Sequence, residues 1–205
     1  MTAVAGAGAQ AHGEGGAKLG MWLFLLTELL FFSGAFLLYA VFRARYAAGF
    51  HAAAADESTA IGTANTLVLL TSSLCMALAI AALRQGRVRA SLLGQGATML
   101  LGLVFLAVKA TEWAGKIGRG LYPDSPVLLR REHGEVLFFG LYYVLTGIHA
   151  VHVAIGIGVI AAAFLLTARG RLGPGRYALL ENAGLFWHFV DVVWIYLFPL
   201  FYLVT

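Results

Sequence analysis

The chain has 205 residues, of which 60% are hydrophobic and 12% are charged, and its mean hydropathy is +0.83. Since a soluble domain carries about 25% charged residues, this composition excludes an ordinary soluble protein and indicates lipid as the solvent. The single cysteine, Cys75, excludes an intrachain disulfide, a covalently attached haem and a cysteine zinc site.

Long apolar runs follow one another along the chain, at residues 19–41, 63–83, 92–114, 136–166 and 179–204. Each run exceeds the roughly 20 residues that a helix needs to cross about 30 Å of hydrocarbon. The sequence therefore predicts an all-α membrane protein, a bundle of five transmembrane helices that forms one domain over residues 19–205. Residues 1–18, rich in alanine and glycine, are predicted to be a flexible N-terminal tail.

The basic residues of the loops predict the orientation of the bundle. Seven lie in the tail and the second and fourth connections, and six in the first and third. The compact basic turns RQGRVR and RGRLGPGR belong to the first group, so the positive-inside rule places the N-terminus in the cytoplasm and the C-terminus outside, on the periplasmic side. The basic pI of about 9.4 thus reflects topology, and we expect no nucleic-acid partner.

Glu28 lies ten residues into the first run, near the expected bilayer midplane. An ionised carboxylate at that depth costs at least roughly 2.5–3.5 kcal/mol. We therefore expect Glu28 to be protonated or to face a polar partner, either as a proton-responsive group or as a neutral acid hydrogen-bonded to a neighbouring helix. On the third run, Lys109 and Glu112 are one helical turn apart, and we interpret them as a pair that anchors the helix end at the membrane interface.

Polar residues recur along one face of each of the last two runs. Residues seven apart in sequence lie on nearly the same face of a helix. The sequence therefore predicts two polar stripes. The stripe on the fourth run contains Glu135, Tyr142, His149 and His152, and the stripe on the fifth contains Glu181, His188 and Asp191. Because unpaired polar groups are costly in lipid, the two stripes could satisfy each other as a helix–helix seam. A metal or haem site and a proton path are the alternatives.

The depths of the histidines weigh against haem. Counted from the connection between the last two runs, His149 and His188 differ in depth by roughly 12 Å, and His152 and His188 by roughly 7–8 Å. Two axial ligands of one iron require matched depths on facing helices. We therefore expect no metal site, although two histidines and one carboxylate could in principle hold iron.

Several stretches, in this order, resemble subunit III of the haem–copper oxidases, the cytochrome c oxidase subunit III family: GMWLFLLTELLFFSGAF, NTLVLLTSS, KATEW, GLYYVLTGIHAVHV and ENAGLFWHFVDVVWIYLFPLFYL. Together they span most of residues 20–203, and the combination of TGIHAVHV with WHFVDVVWIYLF is specific. Longer members of this family have seven helices. This chain begins where their third helix begins, as the five-helix subunits of many bacterial oxidases do.

The resemblance implies a non-catalytic subunit that binds no redox metal, whereas haem and copper lie in subunit I. Such a subunit packs on subunit I beside subunit II and small subunits of the same complex, holds structural phospholipid and supports proton uptake in a bacterial inner membrane. Glu28 matches the family's carbodiimide-reactive carboxylate, and His188 and Asp191 are then expected in a polar seam. Trp22, Arg169 and Arg171 are candidates for lipid headgroup contacts.

Three other functions are alternatives to an oxidase subunit III. The related accessory protein of nitric oxide reductase shares the motifs. A free-standing proton-coupled transporter would predict inverted repeats and broken helices at the midplane, which the sequence lacks: Pro199 is the only proline within the runs, near the end of the last. A b-haem electron carrier is disfavoured by the histidine depths.

Overall fold

The structure is a computed structural model that describes the backbone of residues 2–203 and the side-chain surroundings from Lys18 onward. This part of the chain forms helices α1 (Thr2–Arg45), α2 (Ala47–Ala54), α3 (Thr59–Arg84), α4 (Val88–Gly118), α5 (His133–Ala168) and α6 (Ala178–Tyr202), with a 3₁₀ turn at Leu128–Arg130. All of them except α2 are long and apolar enough to cross a membrane. The predicted all-α bundle with five transmembrane helices is confirmed.

The membrane-length segments extend beyond most of the predicted apolar runs: Lys18–Arg45, Thr59–Arg84, Val88–Gly118, His133–Ala168 and Ala178–Tyr202. Helical hydrogen bonding continues past the last apolar residue, so hydropathy alone underestimates helix length. The predicted end of the last helix, residue 204, lies outside the described residues. Residues 2–18 of the predicted flexible tail belong to α1, and the surroundings of most of their side chains lie outside the described part of the chain. The flexibility of this tail stays a prediction.

The connections lie on two opposite faces of the bundle. Two short turns, 85–87 and 169–177, form what we call the turn face, and the longer segments 46–58 and 119–132 form the loop face. Helices α3 and α5 end at the turn face in Gly86 and Gly170, whose φ angles are 75° and 68°. In each case the amide of the glycine and the amide of the next residue donate to carbonyls of the last helical turn. This is a Schellman motif, which needs a residue free to adopt positive φ.

The four helices α3 to α6 pack around Trp187 of α6, whose side chain is fully buried. Its indole lies between Gly102 of α4 and Gly156 of α5: a Cβ at either glycine would come within 2.8 Å of a ring carbon. The indole Nε1 donates to Ser72 Oγ of α3 at 3.0 Å. One side chain thus connects all four helices, which is possible because two of them carry glycine at the contact.

Helix α1 is attached to the other helices by a narrow stripe. Leu25, Phe32 and Tyr39, spaced by seven residues, are its buried hydrophobic side chains in the described part, and Tyr39 donates a hydrogen bond to the carbonyl of Leu200 on α6. Large apolar side chains on its other faces are exposed, among them Trp22, Leu30 and Leu37. The chain therefore leaves most of α1 free to contact lipid or another protein.

Candidate functional site

Glu28 lies on α1 opposite His152 of α5. Glu28 Oε2 is 3.0 Å from His152 Nε2, and the other ring nitrogen, Nδ1, lies 2.8 Å from the carbonyl oxygen of Ile148. The ring of His152 also packs edge-on against Phe32. The carboxyl expected to need a partner at the midplane has one, and that partner is a histidine from the fourth predicted run.

The two contacts of His152 define how many protons the pair holds. A carbonyl oxygen only accepts, so Nδ1 carries a hydrogen. A proton must then lie between Nε2 and Glu28, either on the acid or on the imidazole. Both arrangements have no net charge, which is what a pair near the midplane requires. The side chains of Glu28 and His152 are 20% and 15% exposed, so the pair is mostly enclosed between α1 and α5.

A second polar site lies near the loop face, where four charged side chains are buried together: Glu57, Lys109, Glu112 and Lys116. Lys109 Nζ is 3.2 Å and Lys116 Nζ 2.9 Å from Glu112 Oε1. Lys116 Nζ is also 2.7 Å from Glu57 Oε2, an ion pair without the directed geometry of a hydrogen bond. We call these four residues the buried charge cluster.

Two tyrosines complete the surroundings of the cluster. Tyr202 of α6 donates to Glu112 at 2.7 Å, and Tyr142 of α5 donates to the same oxygen. Both phenol oxygens also accept from Lys109, at 2.7 and 2.8 Å. The expected pair of Lys109 and Glu112 is present, but its expected position at the membrane interface is wrong. Lys109 is 3% exposed, because α5 and α6 offer it partners inside the bundle.

The loop-face segments are joined by further ion pairs around Asp56. Its carboxylate is 2.8 Å from Arg131 and 3.5 Å from Arg119, and Arg131 also reaches Glu135 at 2.7 Å. The hydrogen bonds to Glu135 and Asp56 raise the pKa of Arg131. Burial raises the pKa of Glu57 to about 7, although the ammonium of Lys116 opposes the shift.

The residues predicted to form a seam do not pair with one another. Among the described contacts, none of the seven bonds to another of the seven. Glu135 binds Arg131, Tyr142 joins the buried charge cluster, and His152 binds Glu28. Glu181 binds Lys18 and Arg84.

Of the remaining three seam residues, His149 and Asp191 are buried, whereas His188 is half-buried and lines a groove between α1, α3 and α6. His188 Nδ1 is 2.6 Å from Ser73 Oγ of α3. His149 is fully buried between the rings of Phe105 and Trp194, and its two nitrogens have no partner in the described residues. Asp191 is buried and both of its oxygens are likewise unpaired there. The helical period identified the inward faces, whereas the choice of partner depends on which helices are neighbours.

One groove near the turn face combines basic and apolar residues. It has a volume of about 400 Å³ and runs between α1, α3 and α6. Lys18, Trp22 and Arg84 line it, together with the carboxylate of Glu181. Of the predicted lipid contacts, Trp22 thus lies in this groove, whereas Arg169 and Arg171 are exposed on the turn between α5 and α6 and do not line it. The sequence missed Lys18 and Arg84, which come near Trp22 only through the packing of α1.

Within the described residues, no three side chains of histidine, cysteine, aspartate or glutamate lie close enough to hold a metal ion. The histidines considered as haem ligands have separate neighbours: His149 lies between aromatic rings, His152 at Glu28 and His188 at Ser73.

Comparisons with known proteins agree with the motifs. The family described as cytochrome c oxidase subunit III matches residues 3–205. The chain is 33% identical to cytochrome c oxidase subunit 3 of Thermostichus vulcanus, over 91% of this chain and 87% of that protein. It is 29% identical to quinol oxidase subunit 3 of Bacillus subtilis, over 90% of this chain and 85% of that protein.

A third relative has a different architecture. The haem–copper oxidase subunit I+III of Aeropyrum pernix is 32% identical to this chain over 90% of its length. The matched region is 22% of that longer protein. With five membrane-length helices and a family match over nearly its whole length, the chain is a multi-pass protein of the bacterial inner membrane and belongs to the subunit III family of the haem–copper oxidases.

Proposed function

We propose that this chain is the accessory subunit III of a respiratory terminal oxidase, that it packs on subunit I beside subunit II, and that it stabilises the complex while subunit I carries the haem and copper. The observation that supports this most is the uncovered side of α1. Leu30 and Leu37 are 65% and 66% exposed there. A partner that covered this surface would pack on the helix that carries Glu28 on its opposite, inward face.

The fused relative supports subunit I as that partner. Its name, haem–copper oxidase subunit I+III, joins the two subunits in one protein. Two proteins that are encoded as one chain in one organism are commonly bound to each other where they are separate.

Lipid binding is the second part of the proposal. The groove of about 400 Å³ presents Lys18 and Arg84 at its polar end and Trp22 beside them. Lysine and arginine near a membrane surface attract phospholipid phosphates, and tryptophan favours the headgroup level. We assign the structural phospholipid of this subunit to this groove, in place of a site at Arg169 and Arg171.

The complex itself tests the assignment. The tagged chain is purified from its native membrane in mild detergent, and visible spectra are recorded for the complex and for the chain after dissociation. We expect haem–copper oxidase bands to remain with a large partner and the released chain to be colourless. A partner identified as nitric oxide reductase would make the chain the related accessory protein. A Soret band on the isolated chain would contradict the proposal. Purification without any haem protein would favour the transporter.

Glu28→Gln tests the proton-responsive role. The amide can still donate to His152 Nε2, so we expect the variant to assemble with its partners. Carbodiimides add to a carboxyl group, and glutamine has none, so labelling of this chain should fall to background. Glu181→Gln serves as the matched control and should keep the label, because Glu181 lies at the turn face between two cations. Labelling that persists in Glu28→Gln would place the reactive carboxyl elsewhere.

A further inference from the structure

A second groove lies on a different side of the bundle, between α4 and α5. Its volume is about 570 Å³ and its lining is almost wholly apolar, from Leu93 and Leu100 of α4 to Phe164 of α5. Gly96 forms part of the floor, and a Cβ placed there would have no atom within 4 Å. Arg89 closes one end at the turn face. None of these residues belongs to the groove at Trp22.

The length of the groove corresponds to one leaflet. From Arg89 to Leu100 is eleven residues, about 16 Å along α4, or roughly half of the 30 Å hydrocarbon core. A transmembrane helix from another subunit would pack along the whole membrane thickness. A groove that ends halfway, with a cation at the interface, fits a ligand with a long apolar chain and a polar head.

The charge at the open end indicates the kind of head group. Arg89 is exposed and has no acidic partner in the described residues, and neither has Arg87 two residues before it. By contrast, Arg84 in the same turn is paired with Glu181. A guanidinium group without a carboxylate partner binds phosphate oxygens in a bidentate manner.

We propose that this groove binds an anionic phospholipid, with an acyl chain along Gly96 and the headgroup phosphate at Arg89. This is a lipid site additional to the one assigned at Trp22, and it does not depend on which oxidase the chain assembles with. The lipid would cover the outward side of the α4–α5 contact in one leaflet.

A photoactivatable phosphatidylglycerol with the reactive group in its acyl chain tests the site on the purified complex. Trypsin cleavage after Arg89 and Lys109 isolates residues 90–109, which contain the groove, from residues 19–43, which contain Trp22. We expect label on residues 90–109 that excess phosphatidylglycerol displaces and excess phosphatidylcholine does not. A cross-link from this segment to another protein chain would instead assign the groove to a partner helix and overturn the proposal.

Two variants separate the charge from the shape of the groove. Arg89→Gln should reduce labelling of this segment several-fold. Because this variant removes the trypsin site at residue 89, its label is measured on the peptide 88–109. Gly96→Phe should abolish labelling by filling the groove. The controls are Arg171→Gln, on the other basic turn, and Leu78→Phe, at an exposed position of α3 at similar depth. Both should label as the unmodified chain does.

The oxidase spectrum of each purified variant verifies assembly, so a loss of label is distinguished from a loss of the complex. Labelling of residues 90–109 that neither variant changes, or that both lipids displace equally, would overturn the proposal. A change confined to residues 19–43 would do so as well, because it would mean that the Trp22 groove is the only site for this lipid.

Discussion

Replacing Glu112 by glutamine should lower the free energy of unfolding of the subunit by about 3–5 kcal/mol, the cost of removing one partner from a buried ion pair. Glu112 accepts from Lys109, Lys116 and two tyrosines. Without its charge, two buried ammonium groups share Glu57 alone. The loss should be measured as a lower midpoint of unfolding of the purified chain in mild detergent, followed by circular dichroism.

A double variant distinguishes charge balance from a loss of shape. In Lys109→Met with Glu112→Gln, the remaining charges are Lys116 and Glu57, which are 2.7 Å apart. The glutamine carbonyl can still accept from Tyr142 and Tyr202. We therefore expect the double variant to regain more than half of the stability that Glu112→Gln loses. If instead the effects of the two single changes simply add, the charges do not interact, and the cluster has a different role.

The number of membrane-spanning helices and their inward faces could be predicted from the sequence, because both depend on local patterns. An apolar run longer than 20 residues has one solution in lipid, and residues seven apart lie on one face of any helix. For this reason Tyr142, His149 and Asp191 were correctly placed inside the bundle.

The pairing of these side chains could not be predicted, because it depends on which helices are neighbours and at what depth. Glu28 and His152 are 124 residues apart, and no local pattern connects them. The buried charge cluster did leave a signal: Lys109, Glu112 and Lys116 follow one another at intervals of three and four residues. That spacing places all three on one helix face. The sequence interpretation of Lys109 and Glu112 as an interface anchor is wrong because this face lines the core.

The glycines around Trp187 carry the second large prediction. Gly156→Ala adds a methyl group 2.8 Å from Cε3 and 3.0 Å from Cζ3 of the Trp187 indole. The ring has no room to move, because its Cη2 already lies against Gly102 and its Nε1 is bonded to Ser72. Overpacking a buried site of this kind costs about 1–3 kcal/mol, which should appear as a lower unfolding midpoint and a lower yield of assembled complex.

Gly158→Ala is the matched control, since it makes the same change two residues further along α5. Gly158 is exposed, and a Cβ placed there would have no atom within 4 Å. Alanine is the better helix former by about 1 kcal/mol, so this variant should be at least as stable as the unmodified chain. A smaller ring should relieve the clash, and Gly156→Ala combined with Trp187→Phe should therefore lose less stability than the sum of the two single changes. Equal stability of Gly156→Ala and Gly158→Ala would mean that α5 and α6 can move apart at this contact, and that Trp187 does not fix the distance between them.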